Sequence, residues 1–237
     1  MKNATAALAV AALILALAPR PAAAQAQPGG AGLAEESGFG KALVIVYSVT
    51  GNTMNMAERI RARVGADIVR IETVESYPEG DQLIPYAKKE RDELRKPTLK
   101  GPLPDVGPYD MIFIGSPVWF HGLPAATSLF LAAMDFQGKP LAPFLTAGGG
   151  PGEAMAALRG SARNARLLEH RVITRYSSRP DEDIDREIDS WLKILQGGPP
   201  PPGLNGGTVD GEDGALAWPM FQRAAAAEAG GEPGDAP

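Results

Sequence analysis

The chain contains no cysteine. That removes disulfides, thiolate metal sites, iron–sulfur clusters, c-type haem attachment and cysteine nucleophiles together. Histidine is nearly as scarce, with only His121 and His170 in 237 residues. An imidazole metal site would need carboxylate co-ligands at suitable spacing, and neither histidine has them. No metal site is therefore expected. A Lys/Arg-rich block is missing too, and the formal net charge is −5. The electrostatic footprint of a nucleic-acid binder is absent, while mild acidity suits a basic docking partner. No acid–base pair or nucleophile constellation stands out, so no residue is assigned a catalytic role.

Residues 1–24 read as a secretory signal peptide. Lys2 supplies the positive start, Ala6 to Ala18 the apolar run, and Ala22-Ala23-Ala24 before Gln25 the small-residue cleavage signal. The apolar run is shorter than a membrane span requires. No stable membrane insertion is expected after cleavage, and no cysteine follows to carry a lipid. No arginine pair precedes the run, which disfavours twin-arginine export. The chain is expected to leave the cytoplasm unfolded by the general secretory route, for the periplasm or the exterior. Residues 25–40 are rich in Gln, Pro, Gly and Ala and read as a flexible lead. Residues 197–237, with a four-proline run at Pro199–Pro202, read as a disordered tail. Within that tail, Leu216 to Phe221 is apolar enough to pack weakly on its own domain.

Between these ends, residues 41–196 alternate strand and helix patterns. Ala42 to Tyr47 is a continuous apolar run, as for a buried parallel strand. Met56, Ile60 and Val64 then mark one face of a helix. Asp67–Ile71, Met111–Ile114, Leu141–Thr146 and Leu167–Thr174 read as further strands. Helices are expected over 83–94 (charged and exposed), 124–134 and 153–162. A last amphipathic helix carries Ile184, Ile188, Trp191, Leu192 and Leu195. Its acidic start, Asp181 to Asp183, suits the positive end of a helix in solvent. This alternation predicts a three-layer α/β domain on a five-stranded parallel sheet. The doubly wound order 2-1-3-4-5 fits, and it places ligands beyond the carboxyl ends of the strands.

Strand one runs straight into Ser48-Val49-Thr50-Gly51-Asn52-Thr53, where a helix begins. Gly51 permits a tight turn that lets backbone N–H groups converge. The helix start adds unpaired donors and a positive dipole end. Ser48, Thr50 and Thr53 add hydroxyls, and no Lys or Arg is present. Such a loop suits a phosphate monoester held by dipoles and hydroxyls alone. Neither the dinucleotide glycine fingerprint nor the nucleoside-triphosphate loop is present.

The stretch Tyr47 to Thr53, Y-S-V-T-G-N-T, resembles the phosphate loop of flavodoxins, S/T-x-T-G-x-T, at every position. The resemblance implies FMN, with Ser48, Val49, Thr50, Gly51, Asn52 and Thr53 around its phosphate. After strand three, Gly115 to Pro124 is similar to the ring-flanking G-x-P-x-W-W/Y-G loop of the same family. It implies ring contacts from Pro117, Val118, Trp119, Phe120, His121 and Gly122. Trp119 is the first candidate for stacking on the flavin and Phe120 the second. His121 departs from the common pattern and reads as solvent-exposed. After strand four, Thr146-Ala147-Gly148-Gly149-Gly150-Pro151-Gly152 looks like the T-x-G-G-S-G loop of short-chain relatives. Gly150-Pro151 stands where serine is common, leaving backbone donors rather than a side chain. Tyr77-Pro78 and the charged helix after it also resemble that subfamily.

The resemblance implies an electron carrier, and the signal-like residues 1–24 place it outside the cytoplasm with an exported redox partner as an expectation; the oligomeric state stays open. An FMN-dependent NAD(P)H:quinone-type reductase and a flavin-free binding scaffold stand as alternatives. No carboxylate lies between Gly115 and Gly122, so the lower flavin potential is expected to be less negative than where acids flank the ring.

Overall fold

The computed structural model describes residues 26–27 and 37–198. The signal peptide, most of the lead and nearly all of the tail, including Leu216–Phe221, lie outside them. The elements are β1 (Ala42–Val46), α1 (Asn52–Val64), β2 (Asp67–Arg70), α2 (Leu83–Asp92), β3 (Met111–Pro117) and α3 (Ala125–Ala133). They continue with β4 (Pro140–Ala147), α4 (Ala154–Ser161), β5 (Arg166–Leu167), β6 (Arg171–Thr174) and α5 (Asp181–Leu195).

The strands are parallel in the order β2-β1-β3-β4-β5, with β6 also paired to β4. All five residues of β1 are buried because both faces of the sheet are covered. Ala42, Val44 and Val46 point into one core with Met56 and Ile60 of α1 and Ile184, Ile188 and Trp191 of α5. Leu43, Ile45 and Tyr47 point into the other, with Phe130 and Leu131 of α3 and Leu158 of α4. The period-2 alternation of a strand thus divides one apolar run between two helix layers.

The expected fifth strand over 167–174 is corrected to two short pieces. Leu141 pairs with Leu167 and Phe144 with Arg171. Two residues of β4 therefore face three on the outer strand, which is a bulge. Pro143 is the physical reason. The carbonyl of Leu141 accepts from the N–H of Leu168, so Leu141 and, two residues on, Pro143 turn their backbone groups to the outer strand. Proline has no N–H to offer there, and the ladder breaks. Trp191 fills the gap from below. Its ring is fully buried, and its Nε1 donates to the Glu169 carbonyl at 3.0 Å.

Three further differences concern charge and edges. Gln27, within the expected flexible lead, exchanges two backbone hydrogen bonds with Ile68 on the outer edge of β2. The acidic start of α5 does more than face solvent. Arg59 of α1 holds Asp181 at 2.6 Å and Asp185 at 2.8 Å, while Arg63 holds Asp185 at 2.7 Å and Asp189 at 2.5 Å. The spacing of four places each set on one helix face, so the two helices are clasped along their length. Finally, α2 is mostly exposed as expected, yet Glu90 on it is buried at 5% exposure.

Candidate cofactor-binding site

The neighbouring strands β1, β3 and β4 end on one edge of the sheet, and their three following loops converge there. Gly51 caps α1 with φ 90°, a left-handed conformation that glycine adopts without strain. The first turn of α1 holds no acid, and no side chain caps its free N–H groups. Ser48 is half-buried and Thr50 exposed. Neither hydroxyl has a partner among the described residues, so both remain available to an anion. Thr53 differs. It is 1% exposed, and its hydroxyl shares a 2.7 Å hydrogen bond with the Thr146 hydroxyl at the end of β4. Two residues singled out separately in the sequence therefore stitch two loops together.

The loop after β3 turns sharply. Val118 N–H donates to the Thr146 carbonyl at 2.8 Å, and Trp119 and Gly122 exchange backbone bonds of 3.0 and 2.9 Å. The two residues between them, Phe120 and His121, have φ of 50° and 65°. A two-residue turn of this kind normally carries Asn-Gly. A bulky aromatic in that region is strained by about 1–3 kcal/mol and points to a functional demand on the side chain. The two residues meet different neighbours. The Arg91 guanidinium lies 4.5 Å from the Phe120 ring centre, whereas the exposed His121 offers its carbonyl to the Glu153 N–H at 2.6 Å.

Gly152, at φ 52°, sits against His121, and a Cβ there would overlap the His121 Cβ, Cα and carbonyl oxygen. The close approach at Gly152 is thus between two loops. Gly148 and Gly149 are exposed with open space around them, leaving that stretch of backbone uncovered. Ala147 is buried and Gly150 half-buried beside them.

Trp119 is half-buried and meets Tyr47 and Tyr77 edge-on, with ring centres 6.0 and 5.4 Å away. Tyr77 in turn meets Tyr86 at 5.3 Å, and its hydroxyl donates to the buried Glu90 carboxylate at 2.6 Å. Burial and that carboxylate hold the Tyr77 hydroxyl protonated well beyond the usual tyrosine range. Burial does the same for Tyr47. This cluster fixes the Trp119 ring at the site. Sequence reasoning singled out Tyr77 by its likeness to the subfamily but missed the Glu90 contact. Thirteen residues separate the pair, and only the docking of α2 joins them.

Beside this cluster, between the end of α2 and the segment leading from Trp119 into α3, lies a cavity of about 330 Å³.

The family profile described as flavodoxin matches residues 41–191. The chain belongs to the flavodoxin family. Among solved structures, this flavodoxin is similar to a putative flavoprotein from Bacteroides eggerthii, 27% identical with a TM-score of 0.54, the match covering 65% of this chain and 97% of that one. A putative flavoprotein from Bacteroides uniformis is 24% identical with a TM-score of 0.53, covering 64% of this chain and 99% of that one. A Lactobacillus acidophilus flavoprotein, solved in complex with FMN, is 22% identical at a TM-score of 0.49, covering 62% and 97%. No curated protein matches the chain.

Proposed function

We propose that this flavodoxin holds FMN non-covalently at the converging loops and carries electrons outside the cytoplasm. The observation that carries the reading is the donor set at the start of α1. It comprises uncapped N–H groups, the unpartnered hydroxyls of Ser48 and Thr50, and no acidic residue in the first turn. That set matches the chemistry of a phosphate dianion, which the helix dipole also favours. The Thr53–Thr146 bond holds the cradle at a set distance from the β4 loop. Trp119 offers an aromatic surface steadied by two tyrosines. Bound FMN would supply the redox chemistry, and the protein would supply binding and electrostatics. The test is FMN titration of the purified chain, followed by visible absorbance and flavin fluorescence. Saturable, one-to-one binding is expected, and its absence would sink the proposal.

The turn at Trp119–Gly122 contains no carboxylate, and the Arg91 guanidinium lies over its Phe120 ring. That arrangement supports a less negative lower potential, because a cation favours added negative charge on the ring. Potentiometry returning a very low second potential would refute it. The signal-like residues 1–24 support export in an unfolded state. FMN would then be acquired outside the cytoplasm, and the partner would be an exported redox protein. Cell fractionation should place the chain, starting at Gln25, outside the cytoplasm; an uncleaved cytoplasmic chain would overturn this part. The cavity beside Phe120 supports a second reading, a reductase acting on small molecules. Rapid flavin reduction on stopped-flow mixing with NAD(P)H would favour it over the carrier.

A further inference from the structure

The cavity beside the ring loop combines an apolar lining with a cationic margin. Ala87, Leu94, Phe120, Leu123 and Leu129 supply the first, and Arg91, Arg95 and Lys96 the second. Its volume of about 330 Å³ falls at the low end of small-molecule pockets. None of residues 48–53 or 148–152 lines it, so it is separate from the phosphate cradle.

Backbone strain gives the first argument. Among the described residues, six non-glycines have positive φ: Leu94, Phe120, His121, Gln137, Asn164 and Arg175. Only Leu94 and Phe120 are large and apolar, and both line this cavity. Leu94 ends α2 in a Schellman motif, with Arg95 N–H donating to Glu90 at 2.9 Å and Leu94 N–H to Arg91 at 3.1 Å. Glycine is the ordinary residue there. Leu94 is 83% exposed, so burial does not offset its strain. The side chain stands in solvent at the margin of the cavity, where a ligand would bury it.

Charge gives the second. Around α2, Lys88 pairs with Asp92, Lys89 with Glu93 and Arg91 with Asp92. Arg95 and Lys96 are left with no carboxylate partner among the described residues. The one carboxylate lining the cavity, Glu90, accepts the Tyr77 hydroxyl. The Arg95 guanidinium lies 5.8 Å from the Tyr86 ring centre. On a chain of net charge −5, two cations without a neutralising carboxylate thus stand beside an apolar hollow.

We infer that this cavity binds a small organic anion with a flat apolar body, such as an aromatic sulfonate or carboxylate, next to the turn that flanks the flavin. Its use as a redox substrate rests on the flavin reading above, but its binding does not. The apolar body meets Leu94, Phe120 and Leu129, and the anionic group meets Arg95 and Lys96.

The experiment is calorimetric titration of the full chain, with and without FMN, using naphthalene-2-sulfonate and the neutral 2-naphthalenemethanol. The sulfonate should bind at least about tenfold more tightly than the alcohol, and the double variant Arg95→Ala, Lys96→Ala should remove about that factor. Leu94→Gly should weaken sulfonate binding several-fold while raising the thermal midpoint, a pairing that a purely structural residue would not give. FMN affinity should be unchanged in all these variants. Equal binding of the two probes, wild-type affinity in the double variant, or displacement of the sulfonate by FMN would each overturn the inference and leave the flavin reading intact. Failure of FMN to bind, with the sulfonate still behaving as expected, would overturn the flavin reading and support the cavity.

Discussion

Replacing Gly152 by alanine is a sharp test of how the site is built. The residue has φ 52°, so any L side chain there meets the left-handed penalty of about 1 kcal/mol. The new Cβ would also overlap backbone atoms of His121, which cannot rotate away as a side-chain tip could. The two loops must separate, and the 2.6 Å bond from Glu153 N–H to the His121 carbonyl is lost. A backbone hydrogen bond of this kind contributes about 0.5–1.5 kcal/mol. Together these effects amount to about 1.5–2.5 kcal/mol. With a urea m-value of about 2 kcal/mol/M for a domain of this size, the unfolding midpoint of the FMN-free protein should fall by about 1 M. Gly148→Ala is the matched control. Nothing lies within 4 Å of its added Cβ, so its stability should stay within about 0.5 kcal/mol of wild type. If that loop also receives the flavin, Gly148→Ala should weaken FMN binding without touching the fold. Equal urea midpoints for Gly152→Ala and wild type would refute the loop-to-loop account.

Thr53→Val leaves the Thr146 hydroxyl buried without its partner and should cost about 1–2 kcal/mol, with weaker FMN binding on fluorescence titration. Asp185→Asn removes the acid shared by Arg59 and Arg63. With the pair partly exposed, the loss should be about 1 kcal/mol or less by urea unfolding, and smaller still in 1 M salt. Those arginines hold the Asp185 carboxyl below its ordinary range. Its contribution should therefore be present above about pH 4 and fade below it. His170 acts with the opposite charge in a higher window. Burial first, then Arg159 and Arg171, push it down to about 4 from 6.5. The unfolded chain then binds more protons, so stability should decline as pH falls from 6.5 towards 4 and level off below. Thermal melts of His170→Asn should show a shallower slope across that interval.

The phosphate loop was legible in the sequence because its signal is local. Seven consecutive residues, Tyr47 to Thr53, carry a strand end, a left-handed glycine and a helix start together. The fold class was legible for a related reason, since apolar runs and four-residue spacings record what each segment buries. The split outer strand was half-legible. Pro143 stood inside an expected strand, but which neighbour lost its hydrogen bond depended on the side to which Leu141 and Pro143 turned. The turn at Phe120-His121 carried no Asn-Gly signal at all, because its left-handed residues are held by contacts from Arg91 and Glu153 rather than by local preference. The clasp of Arg59 and Arg63 with three aspartates joins residues over 120 positions apart. Charge spacing on each helix was visible, but that the two helices face each other was not. By itself the sequence determined the fold class and the glycine turn that opens α1, where the physics runs along the backbone. The tertiary structure alone decided the Thr53–Thr146 stitch, the tyrosine-held Trp119 and the cationic cavity, because each depends on which surfaces meet after the layers pack.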